Sequence, residues 1–410
     1  MQAVNLFQAS PPMAKFMSLE EPRRPAAAGP GFALWQLGFR PFFLFASVFA
    51  ALSIGLWAAQ FAGWLGRPYL AGPLWHAHEM LFGFTLTVMV GFLFTAGRNW
   101  SGRPTPSGAL LAALALLWVA GRVLVVTPFG WAAAIINAAF PLAAAVALAV
   151  PFWASRNRRN YFFVGLLVLM GVAGLGIHLS QLGVLVLPAW LGVRIALDVV
   201  LFIMAVMAGR VIPMFTNNGV PGAGAVRHAL LDKAALASLL VLLVADLLRL
   251  HGMVLAALAV FGAVAHGWRW VLWRPWKTWR TPLVWVLHAA YAWLPLHLAL
   301  RAAAALGWAP GSAATHALMV GAAGGLIIGM MTRTARGHTA RPMHADRFDI
   351  ACYALVLAAA LVRVAGPLVA PGWLLHAVIL SAALWCAAFA LYALRYWPVL
   401  ARPRLDGKAG

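Results

Sequence analysis

Residues 73–83 read Pro73-Leu-Trp-His-Ala-His-Glu-Met-Leu-Phe-Gly83, and a largely apolar run continues to Gly97 before the first charge, Arg98. At 1.5 Å per residue a helix of this length crosses a hydrocarbon core of about 30 Å. Two histidines and a carboxylate open a membrane-length helix, where ionisable groups are costly and mark function. Eleven further stretches of this kind occur, so the chain reads as 39–64, 73–97, 107–126, 131–153, 161–185, 189–212, 230–250, 252–273, 282–308, 312–332, 349–369 and 372–397. Composition agrees: 64% of the 410 residues are hydrophobic and 10% charged, against roughly 25% charged in soluble domains. The fold class is an all-α polytopic membrane protein of twelve transmembrane helices. Residues 1–38 form a cytoplasmic tail without an apolar leader segment, 39–397 one membrane domain, and 398–410 a short cytoplasmic tail.

A net charge of +21 on a soluble chain suggests nucleic acid; here the mean hydropathy of +0.87 removes that partner in favour of the lipid bilayer. Alternate sides of the membrane hold 24 and six Lys and Arg residues, the six being Arg67, Arg122, Arg194, Arg249, Arg301 and Arg363. That asymmetry places both termini in the cytoplasm. Cys352 and Cys386, 34 residues apart, exclude Cys-x-x-Cys metal, redox and haem-attachment motifs.

Helical rise puts His76, His78, His178, His297, His316 and His376 at one depth beneath the outer face. His251 lies at the outer mouth, whereas His228, His266 and His288 belong to the inner half, and His338 and His344 to a solvated loop. Six imidazoles in one layer suit metal ligation, because imidazole binds iron, copper and zinc and is the usual axial ligand of haem iron. His76 and His78 stand about 200° apart on a helix and therefore address different neighbours. Glu79 and Met80 share the face of His76, so Glu79 is expected to orient that ring or carry protons. Arg194 and Asp198, four residues apart, are expected to pair with each other. Gly321, Gly324 and Gly325 below His316 clear a surface against which a flat ring fits, or another helix packs.

The second, sixth and tenth spans leave the membrane through similar arginine-bearing sequences: Gly97-Arg98-Asn, Gly209-Arg210-Val-Ile-Pro213 and Thr332-Arg333-Thr. Their four-helix spacing suggests three pseudo-repeated four-helix units. Arg98, Arg210 and Arg333 are candidates to meet cofactor carboxylates such as haem propionates.

Gly38-Phe-Arg-Pro-Phe-Phe43, Trp75-His-Ala-His-Glu-Met80, Gly209-Arg-Val-Ile-Pro-Met-Phe-Thr-Asn-Asn218 and Thr332-Arg-Thr-Ala-Arg-Gly-His338 together resemble the NnrS family over residues 30–397. The resemblance implies a bacterial inner-membrane protein of about twelve helices that contains haem and copper and serves denitrification and nitric oxide resistance. A more distant architectural analogy is the twelve-helix subunit of haem–copper oxidases, which holds a haem between histidines on its second and tenth helices. This chain lacks that superfamily's adjacent His-His pair and His-x-x-x-Tyr site.

The expectation is a b-type haem held by His316 with His76 or His78, and copper or a second haem held by His178, His297 and His376. Glu79 and Asp198 are the candidate catalytic, proton-handling groups. The ligand is nitric oxide or nitrosylated iron, bound or turned over as an oxidoreductase with an unidentified electron donor. A rival reading is a multi-pass transporter whose outer Arg122, Arg301 and Arg363 receive an anion; a nitric oxide sensor or a metalloenzyme assembly factor is a third.

Overall fold

The computed structural model describes residues 31–64, 69, 70 and 72–408; the tail reading of residues 1–30 and the outer Arg67 lie outside them. Among the described residues there are twelve long helices and no strand. They are α1 (Phe39–Phe61), α2 (Gly72–Ser101), α3 (Gly108–Val125), α4 (Gly130–Ala154), α5 (Tyr161–Gln181), α6 (Ala189–Gly219), α7 (Ala229–Leu247), α8 (Gly252–Leu272), α9 (Pro282–Ala305), α10 (Gly311–His338), α11 (Arg347–Val369) and α12 (Leu374–Ala401). Eleven are long and apolar enough to cross a membrane. The remaining one, α7, carries Asp232, Lys233 and Asp246 within its 19 residues.

Sequence neighbours pack side by side, and α1 also packs along α12, so the first and last helices meet. The Ala33 N–H donates to the Ala401 carbonyl at 2.7 Å, and the buried Arg40 guanidinium donates to the carbonyls of Leu400 and Arg402, both at 2.8 Å. Residues 33–38 are thus not tail: Ala33, Leu34 and Leu37 are buried, because this segment plugs the end of the bundle. The described ends of the chain share one face, the terminal face, with the even-numbered connections, as the Gly108 N–H to Trp35 carbonyl and Leu405 N–H to Thr339 carbonyl bonds show. The helices α2 and α10 are the most enclosed. Lipid gives no hydrophobic drive between helices, so close packing and interhelical polar contacts hold such a bundle.

One such polar knot closes the terminal face. The Arg336 guanidinium on α10 donates to Asp349 (2.6 Å) and Asp346 (3.0 Å), and the Tyr396 hydroxyl on α12 donates to Asp349 at 2.8 Å. Asp346 and Asp349 also form a reciprocal capping box that starts α11. Partial burial works against the charge of Asp346, but the Arg395 hydrogen bond, the Asp349 backbone N–H and Arg336 hold its carboxyl below the usual range. The stabilisation is therefore present above the ordinary carboxylate pKa and is lost as acid titrates through the lowered one. Arg336→Ala, which strands a buried carboxylate, is expected to cost about 3 kcal/mol, read as a lower unfolding midpoint of the purified protein.

Both central helices are distorted at one level. A π-helical segment, Glu79–Thr85, directly follows His78 in α2, and another, Ala317–Gly324, directly follows His316 in α10. π segments displace the side-chain register of an α-helix and concentrate at functional sites. In α2 the Gly83 carbonyl receives the Trp118 indole N–H (3.0 Å) and the Thr87 hydroxyl (2.7 Å).

Candidate metal centre

The six histidines of the outer layer do not form one cluster. Four of them meet in two pairs, both at the face opposite the chain ends. His76 of α2 and His316 of α10 lie with ring centres 6.2 Å apart and planes within 10°. His78 of α2 and His178 of α5 bring their Nε2 atoms to 3.2 Å, with planes at 77°. The two-residue offset along α2 sends His76 and His78 to different neighbours, as rotation about a helix requires. No group of three or more His, Cys, Asp or Glu side chains able to hold a metal occurs among the described residues.

The His78–His178 pair is fully buried. The His78 Nδ1–H donates to Glu79 Oε1 at 2.7 Å, which leaves the Nε2 lone pair directed at His178. A carboxylate holding the far nitrogen of an imidazole is how proteins fix the ligating tautomer. Glu79 is held in turn: Arg122 Nη1 of α3 donates to Oε1 at 2.7 Å, and Nη2 donates to the Asn137 Oδ1 of α4. The Asn137 amide donates to the Ala133 carbonyl at 2.8 Å. Glu79 therefore serves His78, not His76 as expected from helical spacing; the π segment begins at Glu79, and Arg122 draws its carboxylate away. Among the described residues His178 Nδ1 and the Tyr69 hydroxyl are buried without a hydrogen-bond partner, the Tyr69 ring lying nearly parallel to His178 with centres 6.2 Å apart.

Gly83 makes this arrangement possible. A Cβ there would fall 2.7 Å from Arg122 Nη1 and would collide with the Phe49 ring. Gly83→Ala is expected to destabilise the protein by about 1–3 kcal/mol; thermal unfolding of the detergent-purified variant measures it.

The His76–His316 pair is half-buried at the mouth. His316 Nδ1–H donates to the Ser312 carbonyl at 2.6 Å, again leaving Nε2 as the free lone pair. Trp57 of α1 stacks on His76 at 4.8 Å and 14°. His76 Nδ1 is sealed without a partner, and the charge of Arg363 on α11 acts on both imidazoles.

The residues fit the groups expected of them. Two imidazoles bonded to one metal at about 2 Å each have ring centres at most about 6 Å apart, a limit that His76 and His316, with centres 6.2 Å apart, come close to. The closer, fully buried pair suits a small cation in place of the proton its two Nε2 atoms otherwise share.

Other expectations are corrected. His297 of α9 donates from Nδ1 to the Ala314 carbonyl of α10 at 2.8 Å and joins neither pair. His376 stands exposed beside Trp373. Asp198 pairs with Arg301 of α9 (3.4 Å), which also binds Asp246 of α7; Arg194 points outward. Arg122 and Arg301 are thus neutralised within the bundle, which removes two of the three anion receptors of a transporter. The glycine surface of α10 is occupied: a Cβ at Gly321 would strike the Trp293 ring, and at Gly324 would lie 2.6 Å from Trp385. The flat rings it accommodates are indoles of the protein itself.

Arg98, Arg210 and Arg333 lie at the terminal face, about 30 Å along their helices from the histidine layer. Arg210 donates to Asn160 at 2.9 Å and lies over three aromatic rings, and Arg333 lies over Phe215 at 3.7 Å. They cannot reach a group held by His76 and His316. His338 packs against Phe39 instead of standing in solvent, whereas His344 is exposed. Trp57, Arg122, Asn137 and Ser312 were not read from the sequence as supports of these histidines; the outer position of Arg122 was the one usable sign.

A family model, that of the NnrS protein, matches residues 33–404 of the chain. No curated protein matches it.

Proposed function

The chain belongs to the NnrS family, membrane proteins of the nitric oxide response, and on that premise we propose that it binds haem and copper through two separate histidine pairs and uses them to bind or detoxify nitric oxide or iron-nitrosyl species. His76 and His316 would hold the iron of a b-type haem, and His78 and His178 a copper ion. When bound, these metals supply coordination of nitric oxide and one-electron chemistry.

The observation that carries the reading is the pair of facing imidazole couples on the π-distorted helices, each containing one ring whose Nδ1–H is committed to an acceptor. Neutral ligating tautomers are thereby set before any metal arrives. Glu79, paired with Arg122, orients His78 and holds its Nδ1 proton. Asp198, beside Arg301 and with one carboxylate oxygen buried and unpartnered among the described residues, would be the group to take a proton. Nitric oxide is small, uncharged and lipid-soluble, so a site within the bundle needs no polar channel. Arg363, whose charge acts on His76 and His316, would balance negative charge on a haem held there. Lys and Arg concentrate on the terminal face, which supports a reading with both chain ends in the cytoplasm and the metals toward the outer side of an inner membrane.

Metal analysis and an optical spectrum of the purified protein, before and after nitric oxide, test the proposal. A Soret band that shifts on nitric oxide addition, with copper present, is expected. Colourless, metal-free protein from cells supplied with iron and copper overturns it.

A further inference from the structure

A cleft of about 330 Å³ opens on the terminal face between the end of α8 and the start of α9. It is lined by Trp270, Pro275, Thr278, Trp279, Trp285, His288 and Ala289. Three of these seven are indoles. Indoles belong at the level of lipid head groups, but an aromatic belt alone leaves one thing unexplained. His288 is 2% exposed, and its Nδ1 has no hydrogen-bond partner among the described residues.

The proton on that imidazole can be placed. The Thr216 hydroxyl of α6 donates to the Ile212 carbonyl at 2.8 Å, so its oxygen is left to accept from His288 Nε2, also at 2.8 Å. Nε2 therefore carries the hydrogen, and Nδ1 is a bare lone pair. A buried acceptor without a partner costs about 1–3 kcal/mol. Its complement is an O–H or N–H donor brought in by a ligand.

The rest of the wall narrows the class. The indole faces take a flat ring. No Lys, Arg, Asp or Glu lines the cleft, and neighbouring cations are occupied: Arg274 lies over Trp276, Arg280 over Trp279, and Lys277 donates to the Gly222 carbonyl. A phosphate head group would find no counter-charge there. The adjoining surface of α8 exposes Val264, Trp268 and Val271 to lipid, a track for an apolar tail. The volume lies at the small end of ligand sites, adequate for a single substituted ring.

We propose that this cleft binds the dihydroxybenzene head group of a membrane quinol, one hydroxyl donating to His288 Nδ1 and the ring held among Trp270, Trp279 and Trp285. The site stands apart from the histidine pairs at the opposite face. Its test therefore reads binding and not metal content, and it can succeed or fail whatever the metals do.

The probe is a short-chain ubiquinol added to the purified protein in detergent, followed by isothermal titration, with the matching quinone as the control. Saturable binding of one quinol per chain is expected. The quinone, which has no hydroxyl hydrogen to give, is expected to bind about tenfold more weakly, the worth of one hydrogen bond at a buried group. His288→Ala should erase that difference. Thr216→Val, which keeps the side-chain volume and releases the tautomer, should shrink it, and it serves if His288→Ala fails to fold. Absence of saturable quinol binding by the unmodified protein overturns the proposal. So does equal affinity for quinol and quinone, or a preference that both variants leave intact.

Discussion

Protein carrying His316→Ala is expected to come out of the membrane without a Soret band while retaining its copper. Only one protein nitrogen, that of His76, would remain for the iron. Its ring is held by the Trp57 stack and by no hydrogen bond among the described residues. Losing one of the two imidazoles that would hold it removes most of the attachment of a b-type haem, which has no covalent link, so haem content should fall at least about tenfold. His76→Ala should match it, because the two rings act as a unit across α2 and α10. His376→Ala, altering an exposed ring, should leave the spectrum unchanged. Full haem content in His316→Ala would remove iron from this pair.

The complementary result is expected for the buried couple: His178→Ala should lose copper and keep its Soret absorbance. Glu79→Gln is the subtler variant. The amide accepts one hydrogen bond in place of the carboxylate but gives up the ion pair with Arg122, which is left charged inside the bundle. Copper affinity should fall about 10–100-fold, the usual cost of losing a carboxylate that supports a ligating imidazole. Competition with a copper(I) chelator measures it. The two variant sets should dissociate, each stripping one metal. Simultaneous loss of both from every variant, with the helical content intact, would mean that the pairs do not act as separate sites.

Much of the fold was legible because bilayer thickness imposes a length on every span, and runs of that length are visible in a single chain. Even α7 was found, although Asp232, Lys233 and Asp246 keep it from being apolar. The candidate site was legible only in its residue types and its layer. Spacing rules placed Glu79 with His76, but those rules assume 3.6 residues per turn, and the π segment that begins at Glu79 breaks that assumption. Asp198 was assigned to Arg194 for the same local reason; the structure offers it Arg301 from a helix 103 residues away. Local periodicity says which face a residue occupies and nothing about which distant helix arrives there. The glycines of α10 make the same point, since their space is filled by Trp293 and Trp385 from other helices.

The charges of α7 have a consequence for biosynthesis. Asp232 finds its buried partner Arg269 on α8, and Asp246 finds Arg301 on α9, both encoded downstream. Both carboxylates stand in the end turns of α7, so each costs less than the roughly 2.5–3.5 kcal/mol of a mid-span position on the scale of translocon insertion. Asp232 already has Arg227, just ahead of α7, at 3.0 Å, but while the ribosome is still making α9 Asp246 lacks Arg301. The seventh segment thus gains its last ion pair only when α9 arrives, and a nascent chain halted before Arg301 should be more readily crosslinked to the translocon than one extended past it.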